Sequence, residues 1–96
     1  MTTSFELFHA IADPGCAAAR RLVADLGLGD RIAFRNVFYA EAQTDFSSRG
    51  GQLLPALWDG GQLHQGWEAV DRLLRRIVRE PGISSAPIGS ALGVED

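Results

Sequence analysis

The one cysteine of the chain, Cys16, closes the tetrapeptide Asp13-Pro14-Gly15-Cys16, where a short apolar run gives way to a helical pattern. Proline is accepted in a helix only in its first turn, and aspartate ahead of it is a good N-cap, so the thiol falls in that first turn. Unpaired N–H groups and the helix dipole there favour the thiolate, which is the nucleophilic form of cysteine. The local charges pull the other way. Asp13 is the nearest ionisable group and is acidic, and no Lys or Arg lies within three residues on either side. A small, buried, inert side chain is the competing reading, since free cysteines are among the most buried residues.

Three further groups could carry chemistry. Gly66-Trp67-Glu68 opens the last helical pattern, where free N–H groups can hold a carboxylate; equally, Gly66 can make the turn, Trp67 pack and Glu68 complement the dipole. Arg72, Arg75, Arg76 and Arg79 form a basic stripe, but Glu68–Arg72, Asp71–Arg75 and Arg76–Glu80 are all spaced for pairing along a helix, which predicts a solvated, locally balanced face. His9 and His64 have no partner at metal-ligand spacing, so no metal site is expected. No Ser–His–Asp order, phosphate-binding loop or paired-carboxylate motif stands out.

The elements that must position these residues read as follows. Phe5 to Ile11 is a short aromatic and aliphatic run that predicts a buried central strand. A helix follows to Leu28, with Ala19, Leu22, Val23 and Leu26 on one apolar face and Gly27 and Gly29 at its end. Arg31 to Tyr39 predicts a second strand, and the resulting β-α-β unit favours parallel pairing. Glu41 to Arg49 has a weak helical pattern, and Ser47 to Gly51 reads as a loop. Gln52 to Trp58, Asp59-Gly60-Gly61 and Gln62 to His64 predict a hairpin, in which Pro55 cannot donate to a ladder. The last helix starts at Trp67, buries Val70, Leu73, Leu74 and Ile77, and stops at Pro81-Gly82. The order is β-α-β then β-β-α: an α/β domain over residues 1–80, with residues 81–96 as a flexible or loosely docked tail.

Composition excludes several function classes. With 96 residues, 46% hydrophobic and 22% charged, the chain is that of one ordinary globular domain. A net charge of −3 is not the footprint of a nucleic-acid binder. No apolar run approaches the ~20 residues of a membrane span, and the N-terminus lacks the pattern of a signal peptide, so neither nucleic acid nor membrane is an expected partner and a cytoplasmic location is the expectation. One cysteine rules out an internal disulfide and a two-cysteine redox cycle.

Taken together, the motifs resemble the glutaredoxin branch of the thioredoxin-fold proteins over residues 5–79. Pro14-Gly15-Cys16-Ala17-Ala18-Ala19 is similar to that family's Pro-Gly-Cys-x-x-Cys, with Ala19 in place of the second cysteine. Leu54-Pro55-Ala56-Leu57-Trp58 is similar to its hydrophobic-Pro-x-hydrophobic segment, where the proline is cis, and Asp59-Gly60-Gly61-Gln62-Leu63 to its tight hairpin. Gln65-Gly66-Trp67-Glu68 resembles the entry to its last helix, with Gln65 for the first glycine and Ala69 where a second acid is common. Ala12-Asp13 stands where many members carry a lysine. Residues 54–59 are also similar to the N-terminal domain of glutathione transferases, whose helical second domain this chain is too short to hold.

The resemblance implies a thioredoxin-like fold with a four-stranded mixed sheet, and a thiol–disulfide oxidoreductase acting through Cys16 alone on glutathione mixed disulfides. Glutathione is then the co-substrate, held by Leu54 and Pro55 along its backbone and by Gly66, Trp67 and Glu68 at its γ-glutamyl end, with Arg35 of the right charge type for a carboxylate. The partner is glutathione or a thiol-containing protein. A redox-inactive binding or interaction module on the same fold is the alternative. A cluster-bridging relative is a third, but its Cys-Gly-Phe-Ser is replaced here by Cys16-Ala17-Ala18-Ala19.

Overall fold

Leu7 and Phe8 are adjacent in sequence and both wholly buried, which requires a strand covered on its two faces. In the computed structural model, which describes residues 5–79, that strand is β1 (Phe5–His9). It is followed by α1 (Pro14–Asp25), β2 (Ile32–Asn36), α2 (Ala40–Ser48), β3 (Ala56–Trp58), β4 (Leu63–Gln65) and α3 (Trp67–Arg79). The sheet order is β2-β1-β3-β4, with β1 parallel to β2 and antiparallel to β3, and β3 antiparallel to β4. The four-stranded mixed sheet is the one the family resemblance implies. The expected 81–96 tail and the Pro81-Gly82 stop lie outside the described residues.

Alternation along the strands divides the core. Leu7, Ile32 and Leu57 face α1 and α3, where they meet Ala19, Val23, Val70, Leu73, Leu74 and Ile77. Phe8 and Ala56 face the other way, toward Ala42 and Phe46 of α2. Removing a side chain such as Leu57 from the first layer would cost about 2–5 kcal/mol, because helices on one side and a strand on each flank cannot collapse into the space.

Local chemistry fixes the ends of the elements. At the close of α1, Leu28 N–H donates to Val23 O (2.9 Å) and Gly27 N–H to Ala24 O (3.1 Å). This paired capping needs a left-handed residue, and Gly27 supplies it with φ 71°. β1 is shorter than expected: Asp13 N–H turns back to Ala10 O, leaving Ile11 exposed. β2 also stops early, because the Asn36 side chain accepts from Phe38 N–H and Asn36 O from Tyr39 N–H, a turn that throws both aromatic rings into solvent. Ser47 and Ser48, expected in a loop, belong to α2, whose last turn Ser48 Oγ caps by donating to Asp45 O (3.0 Å). Residues 52–54 precede β3 rather than forming part of it.

Charged side chains tie α2 to its face of the sheet. Arg35 pairs with Glu6 and Asp45, and Arg49 pairs with Glu6 while lying 4.5 Å over the Trp58 ring. The guanidinium of Arg35 is therefore committed to this network, and the sequence-based suggestion that it receives a ligand carboxylate is corrected. On α3, the ion pair formed among the described residues is Arg75–Asp71; Glu68 and Arg72 do not pair, and Glu80 lies outside the described residues.

Candidate functional site

The strand directions gather the sequence-predicted residues at one end of the sheet. β1 and β2 both finish there, at His9 and Asn36, while β3 begins there after Pro55 and β4 ends there at Gln65. Cys16, Leu54, Pro55, Gly66, Trp67 and Glu68 all lie on the segments that leave or enter this end. The Leu54–Pro55 peptide is cis, and Gly66 N–H donates to Pro55 O (2.8 Å). Gly66 has φ 93°, a conformation that suits glycine and lets the chain leave β4 and start α3 within one residue. The Cys16 loop abuts the proline: a side-chain carbon on Gly15 would sit 3.4 Å from Pro55 Cδ and 3.2 Å from Asp13 Oδ2.

Cys16 is the third residue of α1 and is 0% exposed. Asp13 caps the helix, and its carboxylate accepts from the backbone N–H of Cys16 itself (2.8 Å). The helix N–H at the cysteine is thus already bonded to an anion. Burial is the largest influence on the thiol and pushes its pKa up; a backbone hydrogen bond from Ala10 opposes it, and the Asp13 carboxylate raises it further. A protonated, enclosed thiol is the result.

The sequence reading missed two residues. Arg20 lies one helical turn beyond Cys16, where its positive charge acts to lower the thiol pKa. Its guanidinium, however, is held by His9 Nδ1 (3.1 Å) and Ala10 O (3.4 Å). Because arginine only donates, His9 Nδ1 must be the acceptor, so the ring is neutral with its proton on Nε2. Burial, then Arg20, holds the His9 pKa below the ordinary value. The i, i+4 spacing from Cys16 to Arg20 is the sequence signal for it, one helical turn along the same face.

Gln65 is the second. Its Oε1 accepts from Gln52 N–H (2.7 Å) and Leu53 N–H (2.9 Å), and its Nε2 donates to Gly50 O (3.2 Å). One carboxamide therefore pins the segment that leads to Pro55. Among the described residues, no partner bonds the N–H or C=O of Leu54, the next residue. The site offers one residue of unpaired main chain, in a fixed place, beside a buried cysteine. No sequence pattern marks such a clamp, because it depends on which loop the β4 side chain faces.

Among the described residues, no group of His, Cys, Asp and Glu could hold a metal ion, and no helix is long and apolar enough to cross a membrane. No family model matches the chain, and no curated protein matches it in sequence. Among solved structures it is similar to a buckwheat glutaredoxin–glutathione complex, with a TM-score of 0.58 at 16% identity, over 77% of this chain and 70% of that one. The architecture around the site is a thioredoxin-like fold, similar to that of this glutaredoxin.

Proposed function

We propose that the chain is a thioredoxin-fold binding module that grips an extended main chain at Leu54 and Pro55, with Cys16 kept as a protonated thiol rather than a turnover nucleophile. The observation that carries it is the Asp13 carboxylate on the Cys16 amide, closing over a fully buried sulfur. The unpaired N–H and C=O of Leu54 supply the grip, since strand-like addition draws its affinity from main-chain bonds. Titration of Cys16 with a thiol reagent against pH tests this. Slow reaction until well above the ordinary thiol value of ~8.5, or until unfolding, is expected; a thiolate reacting fully at neutral pH overturns it.

The second reading is single-cysteine exchange on glutathione mixed disulfides, supported by the seat of the Cys16 loop on Pro55 and by likeness to a protein solved with glutathione. In it, the Cys16 thiolate attacks the glutathione sulfur of a mixed disulfide, forms Cys16–S–S–glutathione and releases the other thiol with the proton that Cys16 gave up. A second glutathione thiolate then attacks that bond, giving oxidised glutathione and restoring the Cys16 thiolate. Leu54 and Pro55 would hold the glutathione backbone, and Gly66, Trp67 and Glu68 its γ-glutamyl end. The purified protein would then reduce a small glutathione mixed disulfide, and Cys16→Ser would abolish that; a wild type no faster than buffer excludes the exchange.

A further inference from the structure

β2 is an outer strand of the sheet, and its free edge is unguarded. Phe5 N–H donates to Arg31 O (3.4 Å) and Val37 N–H to His9 O (2.9 Å), so in this parallel ladder the odd-numbered residues turn their main-chain groups to β1. The N–H and C=O groups of Ile32, Phe34 and Asn36 therefore point outward. Among the described residues, Asn36 O alone of these has a partner, Tyr39 N–H. Native proteins blunt such edges with lysine, proline, bulges or short strands. β4, the other edge, has three residues and leads directly into α3. β2 has five residues without lysine or proline, and its one charge, Arg35, is taken up by Glu6 and Asp45. The His9 ring meets Phe34 near a right angle, 5.7 Å between centroids, and leaves it 49% exposed.

We propose that β2 pairs antiparallel with β2 of a second copy, across a twofold axis at Phe34, joining two four-stranded sheets into one. The outward groups are symmetric about Phe34, so this register uses all of them. Phe34 exchanges both main-chain bonds with Phe34 of the second copy, and Ile32 both with Asn36, whose carbonyl accepts on its second lone pair. The two Phe34 rings then form an aromatic cross-strand pair on the face of the sheet that carries Ile32. No like charges face each other: Ala33 stands against Arg35, and Arg31 against Val37. Phe38 and Tyr39, 84% and 64% exposed, flank the strand. With Phe34 they offer roughly 400 Å² per copy, taking about 200 Å² for a whole aromatic side chain. Two copies and their strand backbones bring the buried total to about 1,000 Å², the lower bound of a specific interface. The pairing is independent of the binding-module reading, since Leu54 leads into β3, two strands in from this edge.

Sedimentation of the intact protein from about 1 μM to about 1 mM should show its mass doubling, a range that suits an interface of this size. Amide exchange should slow with concentration at Ile32, Phe34 and Asn36, and not at Ala33 and Arg35, whose groups already face β1. Phe34→Arg, which places a charge on each side of the axis, should raise the concentration of half-association at least about tenfold. The wild-type exchange pattern reads the same register should that variant fail to fold. In a Cys16→Ser background, mild oxidation should cross-link Phe34→Cys to its copy, because hydrogen-bonded antiparallel partners lie about 5.5 Å apart between Cα atoms. Ala33→Cys should not cross-link, its copy being a diagonal neighbour at about 7–8 Å. A monomer at every concentration, as for an edge that takes a foreign strand instead, overturns the proposal. So does a dimer whose protected amides lie elsewhere, or one in which Ala33→Cys cross-links as readily as Phe34→Cys.

Discussion

Replacing Gln65 by Met keeps its length and apolar stem but removes every hydrogen bond its carboxamide makes. Two backbone N–H groups, of Gln52 and Leu53, lose an acceptor at 2.7 and 2.9 Å, and Gly50 O loses a donor at 3.2 Å. These groups lie at the surface, so water replaces the lost partners and each bond counts at its net value of about 0.5–1 kcal/mol, the longest at the low end. The sum is about 1.5–2.5 kcal/mol, or roughly 6–20 °C in Tm for a domain this size. Main-chain pairing of Ala56 with Gln65 is untouched, which confines the loss to the segment before Pro55. Urea unfolding should show a lower midpoint at constant slope. Amide hydrogen exchange should speed up at Gln52 and Leu53 in the mutant while Leu7 and Leu57 change only with global stability. Gln65→Glu, which retains the acceptor but not the donor, should recover most of the protection. Unchanged exchange at residues 52 and 53 in Gln65→Met would refute the clamp.

Asp13→Asn retains a side-chain acceptor for the helix cap while removing the charge, so stability should hardly change and the pKa of Cys16 should fall, read from the pH dependence of thiol modification. Gly51→Ala should destabilise the fold by about 1–3 kcal/mol in denaturant unfolding, because the added carbon would overlap the Phe46 ring and that ring packs on Phe8. Acid should erode stability in two stages. His9 is harder to protonate folded than unfolded, so stability falls as pH drops below its ordinary value of ~6.5; His9→Gln should flatten that stage. Burial raises the Asp59 pKa, but hydrogen bonds from His64, Gly61 and Gln62 more than offset it, so the stability it adds is present above its ordinary value of ~3.9 and is lost as pH falls through the lower folded value; Asp59→Asn should flatten that second stage.

The core was legible because its signals are periodic and redundant. Val70, Leu73, Leu74 and Ile77 share a helix face in the sequence and are the four buried residues of α3. Asp13, Pro14 and Gly27 mark the limits of α1 by their own backbone preferences. What was not legible depends on long-range register. Phe38 and Tyr39 continue an apolar strand pattern, yet the Asn36 side chain diverts them into solvent. Arg35 carries the charge a ligand carboxylate needs, but its place opposite Phe8 in the sheet puts it within reach of Glu6 and Asp45. At the site, the sequence indicates which residues differ from the resembling family. Only the structure relates those differences, by showing the Cys16 amide bonded to Asp13 and the loop before Leu54 bonded to Gln65.

Those two bonds separate functions that a redox protein combines. Thiol activation depends on a few side chains near Cys16: an acid occupies its amide, Ala19 supplies no second thiol, and Arg20 is drawn away by a neutral His9. The proposed main-chain capture depends instead on the sheet end, where Gly66 bonds Pro55 and Gln65 fixes the approach to Leu54. The first set can be lost by substitution without strain on the second, because no hydrogen bond of the clamp passes through the Cys16 loop. The three bonds of Gln65, at a position where the resembling family has glycine, cost side-chain entropy and still leave a net gain in stability, so the approach to Leu54 is held by the fold itself.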